Sequence, residues 1–209
     1  MQTSTRALLA GGALAGPIYV IAALAQGLTR TGFDLLRHDV SLLANGALGW
    51  VQIANFLLTG ALVAACAVGV RRVLPSGRRT TWGTVLLGLY GIGLILAGVF
   101  LADPVAGFPP GTAATTISWH GTLHLLCAAI AFFALATACF VLAHLDGSGW
   151  AAYSRITGVL FLIGFLGGVA GSAGPAGVLA LWAAVLIGWA WISVLATRLS
   201  RRAREGVTA

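Results

Sequence analysis

The chain alternates long apolar runs with short polar connections, and six of the runs are long enough to cross a bilayer. A membrane-spanning helix needs about 20 mostly apolar residues, because the hydrocarbon core is about 30 Å thick. The pattern therefore predicts an all-α fold, an integral membrane bundle of six transmembrane helices in a single domain covering residues 1–209. The predicted spans lie near residues 7–27, 48–70, 84–102, 122–143, 156–173 and 178–197.

Composition agrees with a membrane protein. Of the 209 residues, 59% are hydrophobic and 8% are charged, and the mean hydropathy is +0.96. A soluble domain carries about 25% charged residues. These values exclude a soluble enzyme, a disordered chain and a nucleic-acid-binding protein with a broad basic face. The expected partner is the lipid bilayer, and no nucleic acid is expected.

The basic residues predict the orientation. All 12 are arginines, and with a cytoplasmic N-terminus ten of them fall in inner segments and two in outer segments. Cytoplasmic loops of membrane proteins are enriched in basic residues. The asymmetry predicts a multi-pass protein of the cell (plasma) membrane with both termini cytoplasmic. The two outer arginines are Arg30 and Arg37.

The first apolar run has a second interpretation. Arg6, the apolar stretch and Ala23-Leu24-Ala25 resemble a signal peptide with a small-residue cleavage site. Cleavage would leave five spans without changing the orientation of the rest. We favour an uncleaved first span.

The first outer segment, residues 28–49, predicts an amphipathic helix between the first two spans. Such a helix would lie in the outer interface or cap the bundle over a central cavity. Its charged side chains suit a lipid headgroup or a small polar solute, although a solvated loop with local ion pairs is the plainer alternative. The charged side chains are those of Asp34, Arg37, His38 and Asp39. The predicted apolar face carries Phe33, Leu36, Val40 and Leu43, and the predicted polar face carries Asp34, Arg37, His38, Ser41 and Asn45.

Further polar residues are expected at the same end of the bundle. Gln52 and Asn55 are three residues apart on the second span and share one face, and amides at that depth rarely face lipid. Asp103 ends the third span, and Ser118 precedes the fourth. The candidate ligand-binding residues are Asp34, Arg37, His38, Ser41, Gln52, Asn55, Asp103 and Ser118.

Two histidines suggest a metal site. His120 and His124 are one helical turn apart and share a face. Two such imidazoles suit Zn²⁺, and Asp103, delivered by the preceding outer loop, is the best third ligand. The sequence leaves two alternatives open. One is a hydrogen-bonded network that closes the outer end, and the other is a proton-linked or substrate-binding role without metal.

Several stretches resemble a known family. They are residues 32–43 (GFDLLRHDVSLL), 49–56 (GWVQIANF), 98–104 (GVFLADP), 107–111 (GFPPG) and 120–124 (HGTLH). Together they resemble the bacterial and archaeal membrane family called domain of unknown function 998, over nearly the whole chain. The resemblance implies a multi-spanning membrane protein without an established activity. It also implies that the outer-face residues are shared within the family.

A second resemblance is one of residue inventory. Alkaline-ceramidase-like and adiponectin-receptor-like membrane hydrolases hold Zn²⁺ with Ser, Asp and three His at one membrane face, although they have seven spans. Here the corresponding residue types are Ser118, Asp103, His120, His124 and His38. This inventory implies a zinc-activated water that would cleave a lipid amide or ester.

Three functional hypotheses follow. The leading one is a transporter-like or binding module that takes a small polar ligand or lipid headgroup in a polar pocket at the extracytoplasmic face. The second is a metal-dependent membrane hydrolase acting on a lipid amide or ester. The third is a structural or partner-binding membrane subunit. Its interface, or that of a helix–helix oligomer, would be the glycine-rich fifth and sixth spans. The glycine pairs Gly12/Gly16, Gly164/Gly168 and Gly167/Gly171 let helices approach closely and are expected to serve tight packing.

Overall fold

A computed structural model describes residues 2–105, 107–112, 116–171 and 174–205, and helices dominate this part of the chain. Short 3-10 helices at Val40–Ala44 and Ala143–Leu145 accompany the long α-helices. The α-helices are α1 (Gln2–Thr29), α2 (Gly49–Val73), α3 (Arg78–Val99), α4 (Trp119–Leu142), α5 (Ser148–Ala170) and α6 (Pro175–Glu205).

Each of the six α-helices is long and apolar enough to cross a membrane. The most apolar stretch of each has a mean hydropathy between 1.5 and 2.6. The predicted all-α bundle with six spanning helices is confirmed, and the chain is a multi-pass membrane protein whose surroundings are a lipid bilayer.

The helices form a ring. Consecutive helices pack side by side, and α6 packs against α1 and closes the ring. The contact between α4 and α5 is the least extensive of those between consecutive helices. The seam between α4 and α5 lies beside a cavity.

The bundle has two chemically different ends. The arginine end carries the N-terminus of α1, the α2–α3 and α4–α5 connections and the C-terminus of α6. The capped end carries two longer connections, residues 30–48 and 100–118, and the turn that precedes α6. Most residues predicted for a site lie at the capped end.

The predicted amphipathic helix from Phe33 onward is wrong, because this segment forms turns followed by the short 3-10 helix Val40–Ala44. Asp34 Oδ1 accepts a hydrogen bond from the Leu36 N–H, and the Asp34 N–H donates to His38 Nδ1, both at 2.8 Å. Such local bonds compete with helical hydrogen bonding. As a result Leu36, predicted for the apolar face, is exposed, and His38, predicted for the polar face, is buried.

Glycines of the predicted small-residue pairs serve packing within the chain. A Cβ on Gly12 would lie 2.3 Å from Cys66 Sγ on α2, and one on Gly164 would lie 2.7 Å from the Ala180 carbonyl oxygen on α6. Gly168 approaches Leu181 in the same way. The close approach that these glycines permit therefore joins α1 to α2 and α5 to α6.

Candidate functional site

The junction between α3 and α4 is held by Asp103 and Ser118. Asp103 Oδ2 accepts the Ser118 N–H at 2.9 Å, and Oδ1 accepts the Ser118 hydroxyl at 2.6 Å. Ser118 Oγ in turn accepts the Gly121 N–H at 3.0 Å and so caps the N-terminus of α4. One carboxylate and one hydroxyl thus tie the second capping connection to the start of a spanning helix.

Gly121 makes room for this arrangement. A Cβ at this position would lie 2.0 Å from Asp103 Oδ2, so only glycine lets the carboxylate sit against the first turn of α4. The positive end of the helix dipole also favours a carboxylate there. The hydrogen bonds from Ser118 hold the pKa of Asp103 below its usual value, and partial desolvation opposes them to a lesser extent.

His120 and His124 point back to α3. His120 Nδ1 lies 3.1 Å from the Leu101 carbonyl oxygen, and His124 Nδ1 lies 2.8 Å and 3.1 Å from the carbonyl oxygens of Phe100 and Ala97. Because a carbonyl oxygen can only accept, Nδ1 of each ring carries the proton. The two histidines therefore satisfy backbone carbonyls where α3 ends.

The predicted zinc site is not supported. Across residues 2–105, 107–112, 116–171 and 174–204, no group of three or more His, Cys, Asp or Glu is placed to hold a metal ion. The physical reason lies in Asp103, the predicted third ligand, because both of its carboxylate oxygens accept hydrogen bonds from Ser118. The Nδ1 atoms of His120 and His124 are directed at backbone carbonyls, which leaves their Nε2 atoms free but without a third ligand. The spacing of the histidines predicted their shared face but not their carbonyl partners.

His38 belongs to an aromatic cluster under the first capping connection. Its ring centroid lies 5.2 Å from that of Phe33 and 5.5 Å from that of Phe108, and Phe33 and Phe108 meet edge to face at 5.1 Å. Trp182 of α6 donates its indole N–H to the His38 carbonyl oxygen at 3.4 Å. The buried His38 therefore fixes the connection to α6.

Arg30 joins the two capping connections, a role that the sequence analysis missed. Its guanidinium donates to the carbonyl oxygens of Leu43 and of Asn45, the latter at 2.5 Å, and lies 5.0 Å from the Phe108 ring centroid. Gly46, with φ of +76°, lets the chain pass beside this guanidinium. The signal available in the sequence was an arginine directly after a span on the arginine-poor side.

Gln52 and Asn55 form a buried amide cluster with Gln26 of α1. Gln26 Nε2 and Asn55 Nδ2 both donate to Gln52 Oε1, at 2.9 Å and 3.2 Å, and Asn55 Nδ2 also donates to the Tyr19 carbonyl oxygen. Gln52 is completely buried. This cluster links α1 to α2, and it is separate from the Asp103 junction.

A cavity of about 550 Å³ lies beside α4 and α5. Its walls are mostly apolar side chains of α3, α4, α5 and α6, and Tyr19, Tyr90 and Trp189 line it as well. Tyr19 lies about 15 Å from the capped end of α1, at the helical rise of 1.5 Å per residue. The cavity therefore reaches well into the membrane-spanning part of the bundle.

The lining of the cavity includes residues on the outer surface of the ring. Leu125 of α4 and Val169 of α5 line the cavity and are 60% and 62% exposed. Phe133 and Leu166 also line it and are exposed. The cavity thus lies at the seam where α4 and α5 pack least extensively, within reach of the surrounding lipid.

Three polar side chains line the cavity towards the capped end: Asp39, Ser41 and His124. Asp39 precedes the 3-10 helix but makes no capping hydrogen bond through its side chain. Burial raises the pKa of Asp39 above its usual value, and the electrostatic interaction with His38 offsets part of this rise. Asp39 therefore presents a partly desolvated carboxylate to the cavity.

The predicted ligand-binding residues therefore lie in several places. Ser41 lines the cavity with His124, whereas Asp103 and Ser118 hold the α3–α4 junction and Gln52 and Asn55 lie between α1 and α2. His38 lies in the aromatic cluster, beside the cavity-lining Asp39 in the chain. Asp34 and Arg37 are exposed in the turn that precedes the 3-10 helix.

Comparison with known proteins yields one match. No curated protein and no solved structure matches the chain. A family model described as "Protein of unknown function (DUF998)" matches residues 13–198, which cover all six helices at least in part. The resemblance inferred from the sequence motifs is confirmed, and the chain belongs to the DUF998 family.

Proposed function

We propose that this protein is a membrane-embedded binding protein for an amphiphilic lipid. The hydrocarbon part of the lipid occupies the cavity beside α4 and α5, and its headgroup contacts Asp39, Ser41 and His124. The observation that carries the proposal is that one cavity combines an apolar wall at a helix seam with three polar side chains at one end.

The size and lining of the cavity support a hydrocarbon chain as occupant. A volume of about 550 Å³ lies in the range of about 300–1,000 Å³ that is usual for small-molecule sites. Aromatic side chains such as Phe56, Phe132 and Phe165 line it. A small polar ligand alone would leave these walls unfilled, so an amphiphile fits better than a polar solute.

The polar residues favour a headgroup that donates hydrogen bonds. The Asp39 carboxylate can only accept, and in neutral His124 the proton on Nδ1 leaves Nε2 as an acceptor. The Ser41 hydroxyl can do either. A hydroxyl or ammonium headgroup therefore suits this end of the cavity better than a phosphate.

The route to the cavity runs through the bilayer. Leu125, Phe133, Leu166 and Val169 are exposed on the outer surface of the ring and also line the cavity. A lipid can therefore enter sideways, between α4 and α5, without leaving the apolar phase.

The test is to fill the cavity and measure lipid retention. Ala128 lines the cavity on α4, and Ala61 is exposed on α2 away from it. Ala128→Trp and Ala61→Trp add the same bulk at these two positions. Native mass spectrometry of the detergent-purified protein counts the lipids that remain bound.

We expect the wild type and Ala61→Trp to retain about one lipid per chain and Ala128→Trp to lose it. Retention of the same lipid by both variants would refute the proposal. Circular dichroism and the unfolding temperature verify that both variants are folded. If Ala128→Trp is unfolded, Ala128→Leu, which adds a smaller side chain at the same position, provides a second test.

A further inference from the structure

The arginine end contains a second concave region, which we call the arginine basin. It has a volume of about 470 Å³ and lies where the α2–α3 connection meets the α4–α5 connection and α6. Its lining includes Gly77, Arg78, Arg79, Leu145 and Arg202.

The basin has an excess of positive charge. Among the acidic residues whose side chains the structure describes, one, Asp146, lies at this end. It forms salt bridges with Arg198 at 3.0 Å and with Arg202 at 3.2 Å. Within the described part of the chain Arg78 and Arg79 make no ion pair. Among the described side chains, the basin thus has two arginines that make no ion pair and a third that is shared with Asp146.

The start of α3 adds to this excess. Arg78 and Arg79 are the first two residues of α3, the first turn contains no acidic residue, and Gly77 provides no side-chain cap. The N-terminus of a helix has a positive partial charge and unpaired N–H groups, so two arginines there repel it. An anion in the basin would relieve that repulsion and accept hydrogen bonds from the guanidinium groups.

Trp82 places the basin at the level of lipid headgroups. It lies one helical turn after Arg78 on α3, and its side chain is 54% exposed. Exposed tryptophans at helix ends concentrate at the membrane–water interface. Arg202 of α6 donates to the Leu145 carbonyl oxygen at 3.0 Å and so joins the basin to the neighbouring connection.

We propose that the arginine basin binds a phosphate oxyanion, carried by an anionic phospholipid, through Arg78, Arg79 and Arg202. This site is separate from the cavity beside α4 and α5 and does not depend on the function proposed for that cavity. Phosphate suits the site because arginine binds its oxygens in pairs. Basic pockets at the ends of spanning helices bind anionic headgroups in the same way.

The experiment measures the unfolding temperature of the detergent-purified full chain against added ligand. The probes are dioleoylphosphatidylglycerol, dioleoylphosphatidylcholine and inorganic phosphate. The test variant is Arg78→Gln/Arg79→Gln. The matched control is Arg71→Gln/Arg72→Gln, which removes the same charge from an exposed pair at the same end, outside the basin.

We expect phosphatidylglycerol to raise the unfolding temperature of the wild type and of the control at similar concentrations. The test variant should need at least about 10-fold more of this lipid for the same rise. Phosphatidylcholine should not distinguish the variants. If inorganic phosphate alone gives the Arg78- and Arg79-dependent rise, the oxyanion site stands with free phosphate as its occupant, and the lipid source is wrong.

An equal loss of response in both double variants would overturn the proposal, because the lipid would then sense only the total charge. An unchanged response in the test variant would overturn it as well. Arg79→Gln alone and Arg78→Lys/Arg79→Lys serve if the test variant is unfolded. The lysine pair keeps the charge but not the paired hydrogen bonds, so it should fall between the wild type and the glutamine pair.

Discussion

The Asp103 carboxylate accepts two hydrogen bonds from Ser118, one from the backbone N–H at 2.9 Å and one from the hydroxyl at 2.6 Å. This pair connects the end of α3 to the start of α4 at the capped end. The Asp103 side chain is only 13% exposed, so its hydrogen bonds to Ser118 are partly shielded from water. Several predictions about stability depend on it.

Replacement of Asp103 by Asn should destabilise the fold by about 1–2 kcal/mol, since it removes a charged acceptor that binds two donors.

The stability of the wild type should also depend on pH. A carboxyl group whose pKa is lowered by folding stabilises the protein above its unfolded-state pKa of about 3.9, and this contribution is lost as the pH falls through the lower, folded-state value. Thermal unfolding between neutral and acidic pH measures both effects.

Asp34→Asn is the control for that experiment. Asp34 is exposed, and an asparagine can still accept the Leu36 N–H in the same turn. We expect a change within about 0.5 kcal/mol. Equal destabilisation by both substitutions would contradict the structural role assigned to Asp103.

Gly121→Ala should destabilise the fold by about 1–3 kcal/mol, the usual effect of overpacking. The added Cβ would lie 2.0 Å from Asp103 Oδ2, so the carboxylate or the helix must move. Gly149→Ala is the matched control, because a Cβ there meets no atom within 4 Å in the first turn of α5. If unfolding temperatures show the two variants to be equally stable, the close contact between Asp103 and α4 is incorrect.

Arg30→Lys should loosen the first capping connection although it keeps the charge. Lysine cannot reproduce the two bonds to the carbonyl oxygens of Leu43 and Asn45 while lying over Phe108. We expect faster hydrogen exchange in residues 31–48 and a loss of about 1–3 kcal/mol. Arg37→Lys, at an exposed position in the same connection, should leave exchange unchanged. Unaltered protection in Arg30→Lys would show that Arg30 does not hold the connection.

Asp39→Asn should raise stability and weaken lipid binding. Burial raises the pKa of Asp39, so its ionised form destabilises the fold. This cost is complete above the folded-state pKa and shrinks to nothing as the pH falls from there to the unfolded-state value. The amide avoids the cost but loses the charged acceptor proposed for the headgroup. Unfolding temperature and lipid retention, measured together at neutral pH, test the prediction. A variant that is both less stable and equally able to retain lipid would contradict it.

Much of the fold follows from the sequence, because spans of about 20 apolar residues leave few alternatives to helices in a bilayer. The structure of the capping connections could not be predicted in the same way. The spacing of Phe33, Leu36 and Val40 indicated an amphipathic helix, but the bonds of Asp34 to Leu36 and His38 replaced it by a turn. Helical periodicity does not report such bonds between side chain and backbone.

The candidate site was predictable in part for the same reason. The spacing of His120 and His124 correctly placed both on one face of α4. The carbonyl oxygens that they bind lie at the end of α3, and residue spacing within α4 does not reveal partners on another helix. The cavity depends on how closely α4 and α5 pack, which is a property of the assembled bundle. Arg30 and Phe108 come together from distant positions in the chain and were not recognised.

Photocrosslinking can show whether a lipid occupies the cavity beside α4 and α5. A phospholipid with a diazirine in its acyl chain is incorporated into vesicles together with the protein. The vesicles are irradiated, and the peptides of the protein that carry the lipid label are identified by mass spectrometry. The account predicts that labels concentrate on cavity-lining residues, including the half-buried Ala128 and Phe132 and the buried Phe165. Labels spread evenly over exposed residues of all six helices, with none on these three, would contradict it.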